Sequence, residues 1–321
     1  MKKLIIVLCI ILTAGVLLGA VGIVAYAINE KNQTKDGNMI TKKETYVPGE
    51  HLIVDCTTSE VRIGVADGEE IVFTYTENAK FQPTISHEDG TVTFRAPKIR
   101  DFISFGWFSR KTVVDITLPR NFSGDLTLKT TTGTVDARLD GLTVGKVNAH
   151  VTTGSLSLAG ITATEVNATS TTGRLTLTDV SSVGDVTATC TTGHLTAERI
   201  TSGGTMKLNT TTVSIRADEI QAATAFHAVM TTGRGEYHVT SPDITIESTT
   251  GNIIFAASGA ENLRLKSTTG DIRGTVDGTV TDYAVDYHTT TGESNLPRKT
   301  DGAKKLYAET TTGDITVTFS H

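Results

Sequence analysis

Val166-Asn167-Ala168-Thr169-Ser170-Thr171-Thr172-Gly173-Arg174-Leu175-Thr176-Leu177 is the stretch whose reading decides the fold. Apolar residues occupy alternate positions on both sides of Thr171-Thr172-Gly173. That is the period of half-buried strands, not of a helix. Twenty residues on, Val186 to Ala197 repeats the pattern around Gly193. Followed in both directions, Thr-Thr-Gly ends at Gly133, Gly154, Gly173, Gly193, Gly233, Gly251, Gly270, Gly292 and Gly313, and a tenth copy has Val213 in the glycine place. The steps are 21, 19, 20, 20, 20, 18, 19, 22 and 21 residues.

Aligned on the glycine, the copies give apolar columns. Seven before it stand residues such as Leu126, Val186, Phe226 and Leu306, and five before it Leu128, Ala188, Ala228 and Ala308. Two after it stand Val135, Leu175, Ile253 and Ile315, with Gly235 and Ser294 as exceptions. Each repeat therefore reads as a strand, a corner at Thr-Thr-Gly, a second strand and a turn. So short a repeat cannot bury its own apolar face, whereas stacked copies can. The fold expected is all-β: a parallel β-solenoid (β-helix) of about ten coils over 120–321. Coils about 4.8 Å apart make a rod of roughly 50 Å. Each glycine is a repeat corner. The Thr just before it is expected to point inward, and the Thr before that outward.

Composition agrees with thin layers. Aromatic residues are 6% of the 321, too few for a thick core of large rings. The formal charge of -6 argues against nucleic acid as a partner, since phosphate binding needs clustered cations. Cys9, Cys56 and Cys190 show neither disulfide nor metal spacing.

Leu4 to Ile28 is an uncharged, mostly apolar run of 25 residues. A helix of that length spans a bilayer core of roughly 30 Å. It predicts a single-pass transmembrane helix, 4–28, with a cytoplasmic tail, 1–3, and a linker, 29–45. Everything beyond would be extracytoplasmic at the cell membrane. A cleaved signal peptide ending near Ala25-Tyr26-Ala27 is the rival reading.

Residues 46–119 repeat less regularly and hold four of the six prolines, which points to an irregular β capping subdomain. Leu52, Val54 and Cys56 nonetheless keep the register, with Ser59 replacing glycine. Lys98 to Lys111 contains Phe102, Phe105, Trp107 and Phe108 among basic residues. These four read either as a plug over the first coil or as a membrane or partner contact.

The recurring Thr-Thr-Gly among alternating Val, Leu and Ala resembles the DUF4097 family over roughly residues 45–321. The resemblance implies a β-strand-repeat, adhesin-like protein of bacterial surfaces, without catalytic residues or cofactor. Because some relatives accompany envelope-stress systems, it also implies an alternative, a regulatory component acting through a membrane partner.

No Gly-x-Ser-x-Gly, phosphate loop or His-Glu-x-x-His is present, and no enzyme is expected. Asp271, Glu293 and Asp314 follow the glycine in the last three copies. Stacked carboxylates repel unless a cation joins them, so the column reads as a Ca²⁺ or Mg²⁺ site or as a solvated acidic edge. Asp314 to Phe319 ends the array, and its open edge suggests end-to-end self-association. The function expected is a membrane-anchored binding or scaffold module for a protein or a cell-wall glycan.

Overall fold

The structure, a computed structural model, describes residues 40–77, 81–97 and 112–320. The tail 1–3, the apolar segment 4–28 and the aromatic residues Phe102, Phe105, Trp107 and Phe108 lie outside the described residues. Among the described residues no helix is long and apolar enough to cross a membrane.

The described chain is almost entirely strand. In order it forms β1 (Ile40–Tyr46), β2 (His51–Ala66), β3 (Ile71–Glu77), β4 (Thr84–Glu88), β5 (Thr91–Ala96) and β6 (Thr112–Pro119). One long ribbon, β7 (Asp125–Ser182), then runs through three coils, followed by β8 (Val186–Ser202) and β9 (Thr205–Ala222). From there each coil is two strands: β10 (Ala225–Thr232) with β11 (Gly235–Thr240), β12 (Asp243–Thr250) with β13 (Ile253–Ser258), and β14 (Asn262–Thr269) with β15 (Ile272–Asp277). After a 3-10 turn at Val280–Asp282 come β16 (Tyr283–Thr291), β17 (Lys304–Thr312) and β18 (Ile315–Ser320).

Successive coils pair in parallel and like positions meet. Val166 lies on Val186 and Val186 on Met206, with Gly173 on Gly193. Phe226 lies on Ile244, and Ile244 on Leu263. The columns seven and five before the glycine, and two after it, form one continuous buried core. Fully burying one such Val, Leu or Phe stabilises by about 1.5–3 kcal/mol. The described residues are thus an all-β, solenoid-like stack.

The exceptional Gly235 is explained by packing. A Cβ there would collide with the ring of Tyr237, which fills the space its apolar neighbours fill elsewhere. Tyr237 is buried and meets Phe226 edge-on at 6.0 Å.

The order of coils departs from sequence order at both ends. At the C-terminal end β17 pairs with β14 on one side and with β16 on the other, while β18 pairs with β15. The last coil in sequence is therefore internal, and the expected open edge at Asp314–Phe319 is not where the stack ends. The reason lies in Ser294 and Pro297, which prevent a second strand after Gly292. That half coil could not cover Ile272 and Val276 of β15. The full coil does, placing Ile315 and Phe319 on them.

The N-terminal end is built likewise. β2 pairs in register with β7 on one side and with β5 and β6 on the other. Within 46–119, β2 is thus an internal coil, and the irregular part lies outside it. Antiparallel β4 closes on β5, β3 on β6, and β1 on β3. The linker expected to run to Thr45 ends earlier, because Ile40–Tyr46 is a strand. Tyr46 packs edge-on against Phe73 at 5.8 Å, which gives β1 an apolar foothold.

Candidate functional site

The corner builds the most regular surface of the molecule. Each corner glycine has a positive φ, from 136° at Gly154 to 153° at Gly133. A Cβ on Gly173 would also collide with the carbonyl oxygen of Gly154 in the next coil, and Gly193 stands in the same relation to Gly173. Glycine is required there both for its backbone and for its lack of a side chain. Val213 manages without, on a backbone outside the left-handed region and with its side chain buried.

Both threonines of the motif face water, against the expected alternation. Thr171 and Thr172, Thr191 and Thr192, and Thr231 and Thr232 are all exposed. The buried residue is the one before them, as at Ser170, Cys190 and Met230. The chain turns at the first threonine, which drops out of the ladder: Ser170 pairs with Cys190 and Thr172 with Thr192, but Thr171 has no ladder partner. One unpaired residue reverses the facing of the next. In several coils the inward residue donates to the glycine carbonyl of the adjacent coil, as Thr310 Oγ1 does to Gly270 at 3.0 Å and Thr289 Oγ1 to Gly313 at 3.2 Å. The result is two solvent-facing files of threonine running along one corner of the stack.

Asp271, Asp314 and Glu293 follow the glycine in consecutive coils, in that spatial order. The backbone N–H of Asp314 donates to Asp271 Oδ1 at 3.0 Å, and that of Glu293 to Asp314 Oδ1 at 3.0 Å. Asn252 begins the series, accepting from the N–H of Asp271 at 3.0 Å. The side chains of Asn252, Asp271 and Asp314 therefore cap the backbone beside the corner. Among the described residues no three His, Cys, Asp or Glu side chains converge as a metal site would require.

β5 and β6 flank β2 on either side of the same corner. Ala96 pairs with Cys56, and Thr112 with Ser59. On β2 these two pairings flank Thr57 and Thr58, and residues 98–111 lie outside the described residues. Thr112 Oγ1 donates to the Thr58 carbonyl at 2.7 Å and lies 2.8 Å from Ser59 Oγ.

A second feature was not read from the sequence. Asp179, Arg199 and Glu219 all have φ near 53° and form a stacked bulge that makes another corner. The bulge ends between β9 and β11, where Asp218 and Glu219 together oppose His238. The register step leaves a shallow notch of about 450 Å³ between Gln221, Thr240 and Ser258. Nδ1 of His238 lies 2.7 Å from Oδ1 of Asp218, with Arg216 3.2 Å from the other oxygen. The His238 contact, reinforced by Arg216, holds the Asp218 carboxyl below its ordinary range. The fall in repeat spacing from 20 to 18 residues after Gly233 was the available signal.

The family model Toastrack DUF4097 matches residues 50–184 and again residues 181–320. No curated protein matches the chain. Among solved structures, one is named a "putative lipid binding protein", from Parabacteroides distasonis, with 12% identity and a TM-score of 0.43, covering 88% of this chain and 98% of its own. One named a "putative adhesin", from Parabacteroides merdae, has 12% identity and a TM-score of 0.41, covering 88% and 97%. Another of that name, from Bacteroides fragilis, has 16% identity and a TM-score of 0.35, covering 88% and 98%.

Proposed function

The chain belongs to the Toastrack DUF4097 family, and from that premise we propose that it is a non-catalytic, adhesin-like binding module. The observation that carries this reading is the pair of exposed threonine files on a stack that repeats the same surface at every coil. Hydroxyl and methyl groups recur about every 4.8 Å along the axis. A surface of that kind suits a partner that also repeats, such as a cell-wall glycan. Many weak contacts made together give it avidity. Leu4 to Ile28 would hold the module in the cell membrane as a single-pass anchor, with the stack extracytoplasmic. Phe102, Phe105, Trp107 and Phe108 would add an apolar contact to the membrane or the partner.

Binding of the full-length protein to isolated cell-wall polymer tests the reading. Replacing Thr171, Thr172, Thr191 and Thr192 by Lys should abolish retention while the melting temperature stays within a few degrees. Undiminished retention would refute the assignment of the threonine corner. Crosslinking in cells separates the two classes of partner. Recovered glycan supports adhesion, whereas a recovered membrane sensor supports the envelope-stress alternative.

A further inference from the structure

We infer that the C-terminal coil, β17 with β18, exchanges between two copies of this chain. The coil sits in a slot formed entirely by earlier residues. On its inner side Leu306 meets Leu263, Ile315 meets Ile272, and Phe319 meets Val276. On its outer side β16 places Val285 on Leu306 and Thr289 on Thr310. The same coil from a second copy would make every one of these contacts, and only the connection 293–303 would differ. Exchange of an identical element costs little beyond that hinge.

Two features favour opening. First, the outer wall is a half coil. Beyond β16 it consists of the bridge from Ser294 to Ile315, the two Asn295 side-chain bonds to Val317 and the antiparallel bridge from Lys299 to Val285. Releasing that wall gives up the Tyr283 hydroxyl's bonds to the Ala260 and Asp277 carbonyls but leaves the strand pairings between His51 and Asp277 in place. Second, the slot is empty of its proper strand until β17 and β18 have been synthesised. β16 and β17 both end in Thr-Thr-Thr-Gly followed by an acidic residue, yet only the last coil carries a second strand. Until it arrives, β15 offers an unpaired edge, which a finished coil of a neighbouring copy fits. The connection is long enough to pass between copies meeting at their C-terminal ends. Its seven residues from Pro297 to Ala303 reach roughly 23 Å extended.

Arg273 and Thr316 face each other in adjacent parallel strands, both exposed. In full-length protein carrying both Arg273→Cys and Thr316→Cys, oxidation should close a bond within the chain. Two differently tagged copies, one with Arg273→Cys and the other with Thr316→Cys, should then be co-expressed and oxidised. The expected product is a mixed dimer whose 273–316 peptide pair is identified by mass spectrometry. If the double variant closes and the mixed copies give no such pair, exchange does not occur. The same conclusion holds if a copy carrying Ser86→Cys links to Arg273→Cys equally well, because the bond then reports collision. Failure of the double variant to close would overturn the register on which the slot depends.

Discussion

The carboxamide of Asn295 makes both of the hydrogen bonds to Val317 that a neighbouring strand would make. Its Nδ2 donates to the Val317 carbonyl at 2.9 Å, and its Oδ1 accepts from the Val317 N–H at 2.9 Å. The half coil at the end of the stack has no second strand, and one side chain stands in for the missing backbone. An exposed run of N–H and C=O groups is an invitation to pairing, so the substitution also blunts the edge.

Asn295→Ala should cost about 1–2 kcal/mol, because two backbone groups lose partners at once. Thermal unfolding should fall by roughly 2–6 °C for a unit of this size. Hydrogen exchange at the Val317 amide should accelerate in particular. Asn295→Asp keeps the acceptor and loses the donor, so it should lie between wild type and alanine. Unchanged exchange at Val317 in both variants would show that the mimicry contributes nothing.

Gly193→Ala meets both an unfavourable φ of 136° and a clash with the carbonyl of Gly173. A cost of about 2–4 kcal/mol is expected from strain and displacement of the neighbouring coil. Gly64 provides the contrast, having open space around it and no left-handed backbone. Gly64→Ala should be neutral or stabilise by about 0.5 kcal/mol, through loss of unfolded-state freedom. Equal melting temperatures for the two variants would contradict the glycine column as a steric requirement.

Gly235 and Tyr237 should be strongly coupled. Tyr237→Ala empties a buried ring position and should cost about 3–5 kcal/mol. Gly235→Ile alone forces a side chain into the ring and should also destabilise. Together they restore the residue types found in other coils, Ile as at Ile215 and Ala as at Ala217. The double variant should therefore be more stable than either single one. Simple additivity in a double-mutant cycle would count against the packing account.

Acid should loosen β1. The hydroxyls of Tyr75 and Tyr46 donate to the Glu44 carboxylate at 2.6 and 2.8 Å. The Tyr75 bond first, then the Tyr46 bond, holds that carboxyl below its ordinary value of 4.5. Its contribution is present above that value and is lost as pH falls through the lowered folded value. Protection factors of the amides along Ile40–Tyr46, which correct for the intrinsic pH dependence of exchange, should fall below about pH 4 relative to neutral pH. Glu44→Gln should remove most of that pH dependence. An identical acid response in the variant would assign the effect to other groups.

Much of the stack was legible because its signal is local and repeated. Val166, Ala168, Leu175 and Leu177 alternate about Gly173, and the copies at Gly193 and Gly251 do the same. The column of acids was legible as a column, but its role was not. Asp271 and Asp314 cap backbone N–H groups of neighbouring coils, and which coils are neighbours depends on the completed stack. The notch beside His238 was not seen, since it comes from the ending of a bulge whose members look like ordinary exposed residues. The clue to the C-terminal order was already present: Ser294 occupies an apolar position and Pro297 forbids a strand, so that coil could only be terminal.

The amino-acid sequence alone determined the coil period, the side chains that fill the interior and the positions where only a missing Cβ fits. These follow from alternation and recurrence, which neighbouring residues specify by themselves. The tertiary structure alone decided that both threonines face solvent and that the first and last coils lie inside their neighbours. Those outcomes depend on how the chain turns at a corner and on which strand edges remain to be covered, and both are settled between residues far apart in the chain.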